Sequence, residues 1–150
     1  MTFLPIEDAS RQLPAKGYSE NPLTLVIDDD VAVANTLSMV LNSGGFETTT
    51  AYSGEAGVEL ARSCKFEFLV ANVVMPQMNG IEAAIEVGKL LPNCKVLLVS
   101  GDNEAGALLQ EAVIRGYKFE LLAMPVHPLV LFQALHSVKT RASSEEPFMN

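Results

Sequence analysis

Five short apolar segments alternate with longer segments of helical periodicity, and this alternation constrains the fold more than any other feature of the chain. Strands separated by helices pair in parallel through right-handed crossovers, with helices on both faces of the sheet. The sequence therefore predicts an α/β fold with a doubly wound (βα)5 parallel sheet. The predicted strands are rich in β-branched and aromatic residues and cover residues 24–27, 46–52, 66–71, 95–100 and 119–124.

The segments between the strands repeat apolar residues at helical spacing, as at Leu37 and Leu41 in the first of them. Pro128 fits the first position of the last helix. His127, just before it, is interpreted as a cap or loop residue rather than as an acid or base. Glycines follow two of the helices at positions where a left-handed cap is common: Gly44, Gly45 and Gly116.

Length and composition indicate one domain. A chain of 150 residues, 49% hydrophobic and 19% charged, is large enough for one core and has a globular balance. We expect an irregular leader over residues 1–22, the domain over residues 23–141, and a tail over residues 142–150 that is too short and polar to fold alone. The chain has neither a secretory signal pattern nor an apolar run of about 18 residues, so we expect a cytoplasmic protein without a membrane span.

Charge and cysteine spacing argue against a nucleic-acid-binding protein and against a zinc site. The formal net charge is −8 and the ten Lys and Arg residues are scattered, which disfavours direct binding of nucleic acid. Cys64 and Cys94 have neither CxxC nor zinc-ligand spacing, so we interpret them as reduced thiols.

Polar residues mark the carboxyl ends of the predicted strands, the edge at which a doubly wound sheet binds its ligands. Asp28 and Asp29 end the first strand, and consecutive acids at a buried strand tip are costly unless they meet a cation or hydrogen-bond donors. Asp30 fits a helix N-cap. The third, fourth and fifth strands end in Asn72, Ser100 and Met124-Pro125.

Four motifs resemble the receiver domain of two-component response regulators: LVIDDD, NVVMPQMNGIE, VLLVSGD and AMPVHP. The resemblance covers residues 23–141 and implies a flavodoxin-like fold with strand order 2-1-3-4-5. It also implies a phosphorylation site. In the family an acid pair binds Mg²⁺, an aspartate ending strand three accepts a phosphoryl group from a histidine kinase, and a hydroxyl and a lysine contact that group.

The chain departs from this family pattern at three positions. Asn72 stands where the acceptor aspartate is expected, Met124 where the lysine is expected, and Leu121 where an aromatic switch residue is expected. The positions that match are Asp28, Asp29, Ser100 and Pro125.

The departures remove the chemistry of phosphoryl transfer, which needs an oxygen nucleophile and cations around the transferred group. The neutral amide of Asn72 cannot form an acyl phosphate, and Met124 carries no positive charge. Loss of one carboxylate and one lysine leaves the formal charge of the site unchanged at −2, carried by Asp28 and Asp29. We therefore predict a pseudo-receiver that is not phosphorylated in the usual manner.

The sequence leaves three alternatives open. A conventional receiver carrying an engineered Asp→Asn change at position 72 would explain Asn72, but it would not explain Met124 or Leu121. A receiver could also be driven by another ligand at the acidic pocket. A flavodoxin-like cofactor-binding protein would need a Gly/Ser/Thr-rich phosphate loop after strand one, where residues 28–30 are acids that repel phosphate. We expect a binding module and not an enzyme.

We expect no required cofactor and at most a weak Mg²⁺ site, with oxygens from Asp29, Asn72 and the Val74 carbonyl as ligands. Met75 and Met78 follow in the same loop, and we interpret them as packing residues. The hydroxyl of Ser100 suits either a ligand or a nearby backbone group.

The fourth helix, fifth strand and fifth helix carry more apolar side chains than one core-facing stripe can bury. In the family this region is a common partner surface. We therefore expect some of these side chains to bind a signalling protein or a second copy of the chain in a homodimer, with a larger core as the alternative. The residues are Leu108, Leu109, Leu121, Val126, Leu129, Val130 and Phe132.

Overall fold

Five parallel strands form one sheet in the order β2-β1-β3-β4-β5. The computed structural model describes residues 20–145, with side chains for residues 20–138, so most of the predicted leader and tail lies outside the described residues. This topology is the flavodoxin-like doubly wound arrangement and confirms the predicted fold class. The strands are β1 (Leu23–Ile27), β2 (Glu47–Ala51), β3 (Phe68–Asn72), β4 (Lys95–Ser100) and β5 (Glu120–Ala123).

Helices cover both faces of the sheet. Alternate residues of β1 point to opposite faces: Leu25 and Ile27 join a core on one side, while Val26 joins a second core on the other. The first core is completed by α2 to α4 and the second by α1 and α5. The helices of the described residues are α1 (Val31–Ser43), α2 (Gly54–Ala61), α3 (Gly80–Leu90), α4 (Ala105–Ile114) and α5 (Pro128–Glu145).

Side-chain caps begin α1, α3 and α5, whereas α4 begins without a side-chain cap hydrogen bond. Asp30 is the N-cap of α1 and accepts a hydrogen bond from the Val33 N–H at 3.2 Å, as predicted. Asn79 and Glu82 form a reciprocal capping box at the start of α3. α5 begins at Pro128 as predicted, and His127 Nδ1 accepts from the Leu129 N–H at 3.0 Å, so His127 is a capping residue.

The glycines after the helices serve two different purposes. Gly45 and Gly116 have φ of 98°, the left-handed conformation predicted for them. Gly44 has φ of −95°, so the left-handed interpretation is wrong there. Its lack of a side chain makes room instead, because a Cβ at this position would overlap the ring of Phe132.

The strand boundaries differ from the prediction at β3. The segment predicted as residues 66–71 forms a strand at Phe68–Asn72. Asn72 belongs to the ladder because β4 continues beside it, where Asn72 is in register with Val99. The backbone of Asn72 is therefore held by the sheet. Among the described residues, no helix has the length and apolar character needed to cross a membrane.

Candidate functional site at the carboxyl edge of the sheet

The parallel register brings the predicted site residues to one edge. Ile27 is in register with Ala71, so Asp28 follows β1 beside Asn72 at the end of β3. Ser100 ends the next strand and is in register with Ala123, which precedes Met124. Four separate segments of the chain thus meet at the edge where a doubly wound sheet binds its ligands.

The three consecutive acids take three different roles. Asp28 is 5% exposed, and its Oδ1 accepts a hydrogen bond from the Asp30 N–H at 2.9 Å. Burial raises the pKa of Asp28 above its ordinary value, and the Asp29 and Asp30 carboxylates raise it further against the lowering effect of the Asp30 N–H. Asp30 caps α1, which leaves exposed Asp29 as the acid that faces Asn72.

Asn72 uses its amide nitrogen to contact two oxygens. Nδ2 donates to the Val74 carbonyl oxygen at 2.9 Å and approaches Asp29 Oδ1 at 3.4 Å. Both partners present acceptor atoms, so the nitrogen end of the amide is the end that satisfies them. At the point where the family resemblance implies an anionic nucleophile, this chain presents a hydrogen-bond donor.

This arrangement does not fit the predicted magnesium site. Mg²⁺ takes oxygen ligands at about 2.0–2.1 Å, whereas the group between the Asp29 and Val74 oxygens is an amide NH₂. Over the described part of the chain, no three His, Cys, Asp or Glu side chains are grouped so that they could hold a metal ion. In this structure the amide nitrogen of Asn72, and not its oxygen, faces the Asp29 and Val74 oxygens, and the weak magnesium site stays a prediction.

Ser100 and Met124 are engaged locally. Ser100 is buried, and its Oγ accepts from the Asp102 N–H at 3.0 Å and donates to the Asp102 carbonyl oxygen at 3.3 Å. Met124 is half-buried and packs against the core on the α1 and α5 side, and its peptide bond to Pro125 is cis. The hydroxyl thus serves its own loop, and the thioether contributes to packing.

The loop after β3 is held close to the sheet. The Gly80 N–H donates to the Val73 carbonyl oxygen at 2.7 Å, and a Cβ on Gly80 would overlap the carbonyl oxygen of Asn72. Met75 is buried in the core and Met78 packs against it, which confirms their interpretation as packing residues. The close approach of α3 to the end of β3 is indicated in the sequence by Gly80, which follows Asn79.

The predicted interaction face is partly exposed and partly core. Leu121, Leu129 and Val130 are 38%, 56% and 41% exposed. Phe132 is half-buried, and its ring stacks on Phe46 at 6.1 Å and covers Gly44. The other half-buried residues pack against the two cores: Leu108, Leu109 and Val126.

Three exposed apolar residues at and after the end of α4 were not predicted from the sequence: Val113, Ile114 and Tyr117 are 52%, 83% and 36% exposed. The cause lies in α4, whose buried residues are the alanines Ala105 and Ala112. Because α4 packs on the core through alanines, its larger apolar side chains are left exposed to solvent. The near-continuous apolar composition of α4 was the signal that could have revealed them.

A doubly wound sheet of this order, with an acid pair and a capped loop after β3 at its carboxyl edge, has the architecture of a receiver domain. The family model described as the response regulator receiver domain matches residues 24–135. The chain belongs to this family. Receiver domains are signalling modules of two-component systems.

Known proteins of the same family are similar over most of the chain. The chain is 30% identical to chemotaxis protein CheY of Thermotoga maritima over 115 residues, covering 76% of this chain and 94% of that protein. It is 28% identical to the cell cycle transcriptional regulator CtrA of Caulobacter vibrioides over 120 residues, covering 79% of this chain and 50% of that protein. This chain therefore corresponds to about half of CtrA.

A solved structure shows the same fold. The chain superposes with a TM-score of 0.70 and 26% identity on a response regulator protein from Burkholderia pseudomallei, covering 87% of this chain and 75% of that one. That protein was crystallised with a phosphorylated aspartic acid, a calcium ion and citrate. In this chain the corresponding edge of the sheet carries the neutral Asn72.

Proposed function

We propose that this receiver domain is not phosphorylated at position 72 and acts by binding another signalling protein. The observation that carries the proposal is the side chain at the end of β3, where Asn72 presents an amide and donates hydrogen bonds to Asp29 and Val74. An attacking oxygen needs a free lone pair and an in-line approach. A neutral amide is a poor nucleophile whether its hydrogen bonds are formed or broken.

The surroundings of Asn72 support the same proposal. A transferred phosphoryl group carries charge on its equatorial oxygens, which cations must neutralise. Met124 is neutral where a lysine would supply that charge, and the Ser100 hydroxyl is already bonded to the backbone of Asp102.

The charge of the site supports a natural, coordinated change rather than a single substitution. Asp28 and Asp29 leave the site at a formal charge of −2. A third carboxylate without the lysine would add a like charge, which costs about 4 kcal/mol at 4 Å and an effective dielectric constant of 20.

Intact-protein mass spectrometry tests the loss of phosphorylation. The wild-type chain is incubated with a small phosphodonor and Mg²⁺ beside the variants Asn72→Asp and Asn72→Asp with Met124→Lys. We expect no mass change in the wild-type chain and a gain of one phosphoryl group in the double variant. A phosphorylated wild-type chain would contradict the proposal. Phosphorylation of Asn72→Asp alone would favour the alternative of a conventional receiver with an engineered change.

The proposed partner surface lies on α4, β5 and the start of α5. These elements expose several apolar side chains to solvent, and exposed apolar surface is the kind that protein partners cover. Leu121 contributes because it faces the α4 side of the edge strand, where α4 anchors itself through small residues. The surface consists of Val113, Ile114, Tyr117, Leu121, Leu129 and Val130.

Two exposed apolar residues allow a matched test of this surface. Ile114→Ser removes a side chain that is 83% exposed on α4, and Met39→Ser removes one that is 70% exposed on α1, on the opposite face of the sheet. Light scattering over a range of concentrations measures self-association, and a pull-down with each variant detects binding of another protein. We expect Ile114→Ser to lose the interaction and Met39→Ser to keep it. Equal behaviour of the two variants would contradict the assignment of the surface.

The proposal requires no cofactor and no catalysis by this chain. It also assigns the domain to the cytoplasm, and support comes from the cysteines, because Cys64 and Cys94 are free thiols. Free cysteines are the usual state in a reducing compartment.

A further inference from the structure

One side-chain amide connects two loops at the carboxyl edge of the sheet. Asp29 precedes α1, and Val74 lies in the loop between β3 and α3. Asn72 Nδ2 donates to the Val74 carbonyl oxygen at 2.9 Å and lies 3.4 Å from Asp29 Oδ1. The first of these hydrogen bonds has ordinary length, while the second is long and weaker. Together they use both hydrogens of the NH₂ group.

The two oxygens that the amide contacts are the ones expected to bind a divalent cation. Hard cations such as Mg²⁺ bind carboxylate and carbonyl oxygens. The nitrogen of an amide is not a ligand for them, because its lone pair is delocalised into the carbonyl group. An NH₂ group and a cation therefore compete for the same position between Asp29 and Val74. Binding of the cation would require the amide to turn and both hydrogen bonds to break.

The neighbouring acids are not arranged to overcome this competition. Asp28 directs Oδ1 to the Asp30 N–H, and Asp30 directs its own carboxylate to the start of α1. Asp29 is the remaining acid, and the positive end of the amide dipole lies beside it. The amide thus offsets part of the charge of Asp29 without introducing an ion.

We propose that the Asn72 amide takes the place of a divalent cation, so that the folded domain holds the loop of Asp29 and the loop of Val74 together without Mg²⁺. This inference goes beyond the proposed function, because that function concerns the absent nucleophile and this inference concerns the connection between loops. The experiments are separate: incubation with the phosphodonor tests the loss of phosphorylation, and comparison of unfolding with and without Mg²⁺ tests the connection between the loops.

Thermal unfolding with and without Mg²⁺ tests the inference on three proteins. Asn72→Asp replaces the donor with a carboxylate and restores an oxygen ligand. Asn93→Asp adds the same charge on an exposed turn before β4, at the opposite edge of the sheet, and controls for general binding of cations to an acidic protein. EDTA defines the metal-free state.

We expect the melting temperatures of the wild-type chain and of Asn93→Asp to be the same in EDTA and in Mg²⁺. Asn72→Asp should melt at a lower temperature in EDTA and recover in Mg²⁺. At a cation concentration ten times the dissociation constant, the folding equilibrium of that variant should shift about tenfold.

A wild-type melting temperature that rises in Mg²⁺, or an Asn72→Asp variant whose melting temperature is the same in EDTA and in Mg²⁺, would overturn the proposal. If Asn72→Asp does not fold, nuclear magnetic resonance of the wild-type chain decides the question. The side-chain NH₂ signals of Asn72 should keep their positions when Mg²⁺ is added. Signals that move or broaden on addition of Mg²⁺ would show that the cation displaces the amide.

Discussion

Two glycines of α3 lie in opposite surroundings, and replacing each with alanine should move stability in opposite directions. A Cβ on Gly80 would overlap the carbonyl oxygen of Asn72, and it would lie 2.8 Å from the Asn72 carbonyl carbon and 3.0 Å from the Val73 Cα. These are backbone atoms of β3 and its exit, which cannot rotate away as a side chain can. A Cβ on Gly88 would meet no heavy atom within 4 Å.

The expected magnitudes follow from these distances. Overpacking costs about 1–3 kcal/mol, and the backbone partners put Gly80→Ala in the upper part of that range. Alanine is favoured over glycine within a helix by about 0.5–1 kcal/mol, which offsets only part of the clash. The net expectation for Gly80→Ala is a loss of about 1–2 kcal/mol. For Gly88→Ala it is a gain of about 0.5–1 kcal/mol in the free energy of unfolding.

Urea unfolding followed by circular dichroism measures both variants under one condition. Equal dependence on urea concentration would show that the unfolded states are comparable, so that a change in midpoint reports stability. If Gly80→Ala were as stable as Gly88→Ala, α3 would not approach the end of β3 as closely as the structure has it. The geometry around Asn72 would then need a different explanation, because the same contact holds the loop after β3.

Three further predictions test the caps, the buried acid and the surface. Asn79→Ala removes the capping box of α3 and should lower the free energy of unfolding by about 1 kcal/mol, whereas Asn93→Ala on an exposed turn should leave it nearly unchanged in the same urea assay. Burial raises the pKa of Asp28 from its ordinary value of 3.8, so its contribution to stability is fully present below pH 3.8 and is lost as the pH rises through the higher folded-state pKa. Asp28→Asn keeps the acceptor for the Asp30 N–H and should therefore stabilise the domain more at pH 7 than at pH 3; an equal effect at both pH values in melting experiments would contradict this reasoning. Ile114→Ser should change the free energy of unfolding by less than about 0.5 kcal/mol because the side chain is 83% exposed. In contrast, Leu135→Ala at a fully packed core position should cost about 2–5 kcal/mol, and similar losses for both would show that Ile114 is buried in solution.

The local patterns of the sequence predicted the elements well because periodicity is a local property. The short apolar run of β1 and the helical spacing around Leu37 and Leu41 each depend on residues within one segment. The caps followed the same logic: Asp30 and Pro128 act on backbone groups within three residues of themselves. Gly44 was the exception, because what requires a glycine there is the ring of Phe132, which is distant in the chain.

The surface was predicted less well because exposure depends on what a helix packs against. Phe132 and Ile114 are both apolar residues near the ends of helices. Phe132 lies over Gly44 and Phe46, whereas Ile114 extends into solvent at the end of a helix that is anchored by alanines. Sequence spacing alone does not distinguish these two environments, since the helix period says which residues share a face and not how closely that face is covered.

The sequence by itself determined the alternation of strands and helices, the edge at which the site lies, and the chemical identity of the groups there, including a neutral Asn72 and a neutral Met124. Only the tertiary structure decided which hydrogen-bond partners those groups have. The amide nitrogen of Asn72 meets an acid from one loop and a carbonyl from another, and Asp29 is 43 residues away from it along the chain. A hydrogen bond depends on distance and direction between atoms, and these arise only when the parallel sheet brings the two loops together.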